Sequence, residues 1–361
     1  MKTNHSITFI FLVSAFIFSN GCRKKDSDDN APIQPPAADD AVYVINEGAF
    51  GTPNGTIDFY SMKADSISND IFGYVNLIPL GEVVQSMTVA DGKGYICVNG
   101  SRKVEVVNMA DFNSFGTSNA FQGPRFFIKT GVNTGYVSDW FANNVKVVDL
   151  TTLAVIDSIP TGAGPEQMLL LNDKVYVTNV GGFGNDSTVT VINTSSQSVV
   201  TTIEVGLNPN SILLAGGKVW VLCGGTIGPD FVPSTADDRA GSLVRIDPVT
   251  MTVEKKFTMA AADHPVKLAK NGAGDKLYFL KGTDGYKGKV HVMGVLDIFL
   301  PINPIVTKDF YGLGVAPGSG DIFGGYAPDF NQGGSLYRYS AAGALKSIKT
   351  TGIAPNGFVF Y

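Results

Sequence analysis

Seven times along the chain, a short run of apolar residues is centred on one aromatic side chain and preceded by a turn. The runs are AVYVIN (41–46), GKGYICVN (92–99), NTGYVSDW (133–140), DKVYVTNV (173–180), GKVWVLCG (217–224), DKLYFLKG (275–282) and GDIFGGYA (320–327). Their anchors are Tyr43, Tyr95, Tyr136, Tyr176, Trp220, Tyr278 and Phe323. β-Branched and aromatic residues in such runs, bounded by Gly, Asn and Asp, predict strands joined by tight turns. A second strand-like run follows each anchor (GTIDFY, KVEVVNM, NVKVVDL, TVTVIN, SLVRID, KVHVMG, SLYRYS). A third follows in AVIDSIP, SVVTTIEV and TVEKKFTM, and a fourth opens near a proline in GPRFFIK, GPEQMLLL, NPNSILLA and HPVKLAK. The anchors are spaced by roughly 40–60 residues, which is the length of a four-stranded propeller blade.

Pro124, Pro165, Pro209 and Pro265 share one register at the head of the innermost strand, where a proline forfeits no ladder hydrogen bond. The tail APNGFVFY (354–361) repeats that innermost strand with Pro355 in register, and nothing follows it. AVYVIN lacks an innermost strand before it, so the two defects complete each other. The pattern predicts an all-β, seven-bladed β-propeller over 41–361, closed by the C-terminal strand joining the first blade and removing an open sheet edge.

Composition agrees with this architecture. Charged residues make up 16% of the 361, and glycine is frequent at 42. The net charge of −5 comes with no basic stripe, which disfavours a nucleic-acid partner. Residues 1–21, with an apolar run from Ile7 to Phe18, read as a secretory signal too short to span a membrane comfortably. Cys22 after Gly21 resembles the acylated cysteine of a bacterial lipobox, although Ser19 stands where Leu is usual. An ordinary cleaved signal with an incidental cysteine is the alternative. The acidic, Pro-rich remainder of 22–40 reads as a disordered tether. Cys97 and Cys223 lie far apart in apolar runs and are expected as buried free thiols.

The YVTN at 176–179 resembles the YVTN-repeat, YncE-like propellers. A longer likeness runs through INEGAFGTPNGTIDFY, PLGEVVQSMTVADGKGYICVNGSRKVEVV, GPRFFI, EQMLL and SLYRYSAAGAL. These segments resemble the BtuG-type surface lipoprotein propellers of Bacteroidetes. That resemblance implies a lipoprotein on the outer face of the outer membrane, anchored to it through Cys22. It also implies that the protein binds a cobamide (cobalamin) as cargo, not as a cofactor, and passes it to a TonB-dependent outer-membrane transporter. The acidic segment after Cys22 resembles the export signal of such surface lipoproteins.

The residues supply a candidate face and no catalytic or metal motif. His264 and His291 belong to no zinc-spaced cluster, and there is neither HExxH nor GxSxG. Asp237, Asp238 and the GTDG at 282–285 lack EF-hand spacing and read as loop carboxylates. No catalytic residue and no resident metal or cofactor is therefore expected. In a propeller the loops between second and third strands share one end of the ring with the heads of the innermost strands. Those loops bring Phe50, Trp140, Phe141, Phe183, Phe231, Tyr286, Tyr326 and Phe330, among many Asn and Gly residues, to one rim. The strand heads add Gln85, Arg125, Glu166, Gln167, Asn210, His264 and Asn356 at the channel mouth. Aromatic rings beside amides suit a large, partly apolar ligand edged with carboxamides. Two alternatives stay open at residue level: loop aromatics often merely cover blade ends, and Arg125 and Glu166 can pair with each other. A surface-layer or adhesion-type module binding protein or glycan is a second functional class. A third, a lactonase or quinoprotein-like enzyme, would need metal-binding carboxylates at the mouth or tryptophan-docking repeats, and the chain has only two Trp.

Overall fold

Seven antiparallel sheets of four strands stand around a central axis in a computed structural model that describes residues 40–228, 232 and 236–361. The signal, Cys22, the tether short of Asp40, and Phe231 lie outside the described residues. Blade 2 shows the unit: Val84–Ala90 innermost, then Lys93–Val98, Lys103–Asn108 and Ser114–Ser118 outward. The other blades span 124–160, 165–204, 209–258, 266–310 and 312–353, while blade 1 combines 41–68 with 355–360.

Burial follows from this stacking. The anchor strands are covered on both faces, so Tyr136, Tyr176 and Trp220 are almost wholly buried. Outer strands meet water, and in Thr252–Thr258 only Phe257 points inward. Cys97 and Cys223 are buried and unpaired, and burial pushes both thiols up to about 12.

The ring closes as the sequence pattern requires. Pro355–Phe360 pairs antiparallel with Ala41–Asn46, placing Val359 opposite Tyr43 and Phe358 opposite Val44. The rings of Phe358 and Phe360 lie 5.8 and 5.4 Å from that of Phe323 in blade 7. One local departure is the outer strand of blade 1. It stops after Ser66–Ser68, and a short helix, Ile71–Asn76, begins where Asp70 accepts a hydrogen bond from Gly73 N. Ile71 and Phe72 are buried beneath it.

The feature that builds the site is a repeated β-bulge. In blades 1 to 6 the innermost strand carries one extra residue near its head, and the ladder slips there. The slip falls directly after Pro355, Val84, Pro124, Pro165 and Pro209. It brings Asn356, Gln85, Arg125, Glu166 and Asn210 to the channel mouth. In blade 6 it comes one pair later, between Val266 and Leu268, so Lys267 is the extra residue, at φ 59. His264, which precedes Pro265, is not one of these bulge residues: it is buried, with Nδ1 3.0 Å from the Gly224 carbonyl oxygen. Blade 7 has no bulge in its inner pair, and Tyr311 precedes its innermost strand Gly312–Val315.

Candidate functional site at the channel mouth

The bulge residues join in a hydrogen-bonded belt around the axis. Asn356 Nδ2 donates to the Gln85 carbonyl oxygen (2.9 Å), and Arg125 Nη1 donates to Gln85 Oε1 (2.6 Å). Arg125 then grips Glu166 with two bonds of 2.8 and 2.7 Å. Gln167 Oε1 accepts from Ile212 N (3.1 Å), and Asn210 Nδ2 donates to the Pro265 carbonyl oxygen (2.9 Å). Lys267 Nζ returns to Asn356 Oδ1. Tyr311 enters beside it, its hydroxyl donating to Glu47 Oε2 (2.7 Å). Every blade thus contributes a group at this level.

Electrostatics follow from enclosure. Burial raises the pKa of Glu47 above the ordinary carboxylate value, against the pull of Lys267 and the Tyr311 bond. Burial also raises the Tyr311 hydroxyl well above its usual value, and the Glu47 charge adds to this. For Lys267 burial lowers the pKa. Burial opposes the charge on Arg125, but the pair with Glu166 more than offsets it and the net shift is upward. A carboxylic acid with a raised folded-state pKa stabilises the fold below its unfolded pKa and loses that contribution as pH rises through the folded pKa. Glu47→Gln keeps an acceptor for Tyr311 and removes this loss. The stability difference, variant minus wild type, is expected to grow as pH rises above the ordinary carboxylate range in urea titrations; a difference that does not rise with pH would contradict it.

Above the belt lies a cleft of two joined compartments. The first, about 380 Å³, has Glu47, Gln85, Arg125, Phe126, Glu166, Gln167, Lys267 and Tyr311 at its base and Trp140 and Tyr286 on its walls. The second, about 630 Å³, shares Asn208, Asn210, Val266 and Gly285 with it and extends past Phe183 to Thr226, Arg239 and His264. A cavity of about 270 Å³ lies along the channel beneath, lined by Gln85, Phe126, Gln167, Lys267 and Asn356.

Loop chemistry positions the walls. Asp139, wholly buried, accepts from Gln122 N (2.8 Å) and Gly123 N (2.7 Å), which fixes the turn that carries Trp140. Trp140 packs edge-on to Phe141 (4.9 Å) and Phe183 (5.1 Å). Its indole Nε1 is buried without a hydrogen-bond partner among the described residues, against Gly164 at φ 59, where a Cβ would stand 2.9 Å from it. On the opposite wall Asp284 Oδ1 accepts from Tyr286 N (3.1 Å) and Lys287 N (2.8 Å), so this carboxylate serves its own turn. Phe330 packs edge-on to Tyr311 (5.1 Å) and Tyr286 (5.9 Å).

Of the residues singled out in the sequence, Gln85, Arg125, Trp140, Glu166, Gln167, Phe183, Asn210, His264 and Tyr286 line the cleft. Phe141 and Phe330 stand behind the walls as packing partners. Asn356 faces the lower cavity. Phe50 is 91% exposed and lines none of these cavities. Tyr326 does not belong to the rim: it packs into the seam between blades 6 and 7, with Lys308 Nζ 3.7 Å from its ring centre and Tyr337 6.1 Å away. Arg125 and Glu166 both pair with each other and face the cleft, so the two readings of them are compatible. Sequence reasoning missed Glu47, Lys267 and Tyr311. A late bulge hid Lys267, and the absence of a proline in blade 7 hid Tyr311. Nothing in the strand pattern marked Glu47.

The described residues form a seven-bladed β-propeller with a polar-floored, aromatic-walled cleft at its channel mouth. Residues 40–359 match the family described as “Domain of unknown function (DUF5074)”, and the chain belongs to that family. No curated protein matches the sequence. Among solved structures, the chain resembles a quinoprotein alcohol dehydrogenase-like protein from Bacteroides thetaiotaomicron. The two share 16% identity with a TM-score of 0.64, over 90% of this chain and 78% of that one. A protein from Lactobacillus plantarum is similar at 13% identity and TM-score 0.63, over 89% and 99%. Hydrazine synthase of Kuenenia stuttgartiensis is similar at 14% identity and TM-score 0.57, over 78% and 92%. These likenesses show the fold alone.

Proposed function

We propose that the protein is a non-enzymatic capture module. It is anchored at the cell surface through Cys22, holds a cobamide in the two-compartment cleft and passes it to a TonB-dependent outer-membrane transporter. One observation carries the reading: the cleft sets the rings of Trp140, Phe183 and Tyr286 around a floor of amides and internally paired charges. Such a surface packs on a flat apolar ligand while Asn208, Gln167 and loop backbone groups meet peripheral carboxamides. The belt ties the floor together before any ligand arrives, which lowers the ordering cost of binding. Arg125 is engaged with Glu166 and Tyr311 with Glu47, consistent with holding rather than transforming a ligand. The sequence of residues 1–40 supports export and lipid anchoring.

Absorbance titration of purified residues 40–361 with cobalamin is expected to saturate at micromolar ligand or below. No spectral change and no retention in equilibrium dialysis at that concentration would remove this cargo. Trp140→Ala is expected to weaken binding about tenfold, the equivalent of about 1.4 kcal/mol for a lost aromatic contact. Unaltered affinity would remove Trp140 from the contact set. A protein or glycan partner on the same face is the second reading, favoured by the near-complete exposure of Phe50 and Phe183. Glycan retention without cobalamin binding would select it.

A further inference from the structure

Lys267 differs from the other charges of the belt. Arg125 has a carboxylate in bidentate contact, and Glu47 has the Tyr311 hydroxyl. Lys267 is held in the left-handed region (φ 59) at its bulge, a conformation uncommon for a side chain of this size. Its ammonium meets the amide oxygen of Asn356 and lies 5.6 Å from the centre of the Tyr311 ring. Among the described residues, no carboxylate lies within ion-pairing distance of it. It lines both the cleft above and the cavity beneath. An enclosed ammonium beyond ion-pairing distance of any described carboxylate is unfavourable until a counter-charge reaches it. Arg125 and Glu166 pair with each other, and the Glu47 carboxyl is engaged by the Tyr311 hydroxyl, so the Lys267 ammonium has no ion-pair partner of its own at the base of the cleft.

We propose that Lys267 is the recognition point for a single anionic group of the ligand, a phosphodiester or a carboxylate, seated on the belt while the remainder of the ligand packs between Trp140 and Tyr286. This rests on the cleft being the ligand site but not on the cargo being a cobamide.

The test uses small probes without cobalamin. The purified protein is titrated with dimethyl phosphate and with acetate, and with the neutral isosteres trimethyl phosphate and acetamide. Binding is followed by calorimetry and by Trp140 emission; Trp220, the other tryptophan, is wholly buried in blade 5. Saturable binding of at least one anion is expected, with none of the neutral isosteres. Lys267→Met is expected to lose at least tenfold in affinity. Lys267→Gly is expected to lose as much, and it suits the left-handed backbone, so one variant folds if the other does not. The tighter of the two anions identifies the group. Equal binding by wild type and the variants, or no saturable anion binding by wild type, overturns the proposal. Failure of cobalamin to bind in the separate titration leaves the anion result standing, so the two readings fail independently.

Discussion

Truncation after Ala354 is expected to abolish cooperative folding. The lost segment pairs along the whole of Ala41–Asn46 and covers Tyr43 and Phe323 with Phe358, Val359 and Phe360. Three partly buried apolar side chains at about 1.5 kcal/mol each already approach the low end of a domain's stability of about 5–15 kcal/mol. The truncation also strips the ladder partner from Ala41–Asn46 and takes Asn356 out of the belt. Far-UV circular dichroism is expected to show no sharp thermal transition, and gel filtration is expected to show aggregation through the bared edge. Tyr361 N donates to the Ala41 carbonyl oxygen (3.0 Å), so the two ends are adjacent. Moving 354–361 to precede Ala41 through a short turn is therefore expected to restore folding. A truncated chain melting as sharply and at the same temperature as the parent would refute strand closure as the source of the ring's stability.

Arg125→Met is expected to cost about 3 kcal/mol in urea unfolding, the low end of the range for breaking a buried ion pair. The low end applies because cleft solvent reaches Arg125, whose side chain is 23% exposed against 9% for Glu166. The substitution strands Glu166 in the ring and frees Gln85 Oε1. Glu166→Met alone is expected to be damaging for the mirror reason. The double variant Arg125→Met/Glu166→Met is expected to recover most of the loss, because it removes both desolvated charges together. Additive losses in the double variant would show that the two side chains act separately.

The fold was legible because each blade repeats the same local rules: a turn, an aromatic anchor on a doubly covered strand, and prolines where no ladder donor is needed. Tail and head each lacked what the other had, so closure could also be read. The site was legible only where its residues obey the repeat. Arg125, Glu166 and Asn210 follow a proline at a bulge, and adjacency to that proline placed them at the mouth. His264 was placed with them because it precedes Pro265, whereas bulge residues come after the proline, and in blade 6 the bulge falls one residue later still and presents Lys267. Alternation says which residues share a face; it does not say where a ladder slips, and a one-residue slip exchanges the faces. Tyr326 was misplaced for a related reason. As the last residue of the strand Ile322–Tyr326 it obeys the sheet and turns into the seam with blade 6 instead of joining the loop beyond it.

The belt also gives the cleft a floor drawn from several blades. Gln85, Phe126, Gln167 and Lys267 border both the upper cleft and the lower cavity, and bonds between neighbouring blades, with Lys267 reaching Asn356 past blade 7, tie this level together. In the proposed capture role, a ligand packed against Trp140 sits on the rim side of the belt, and a receiving protein would meet it there.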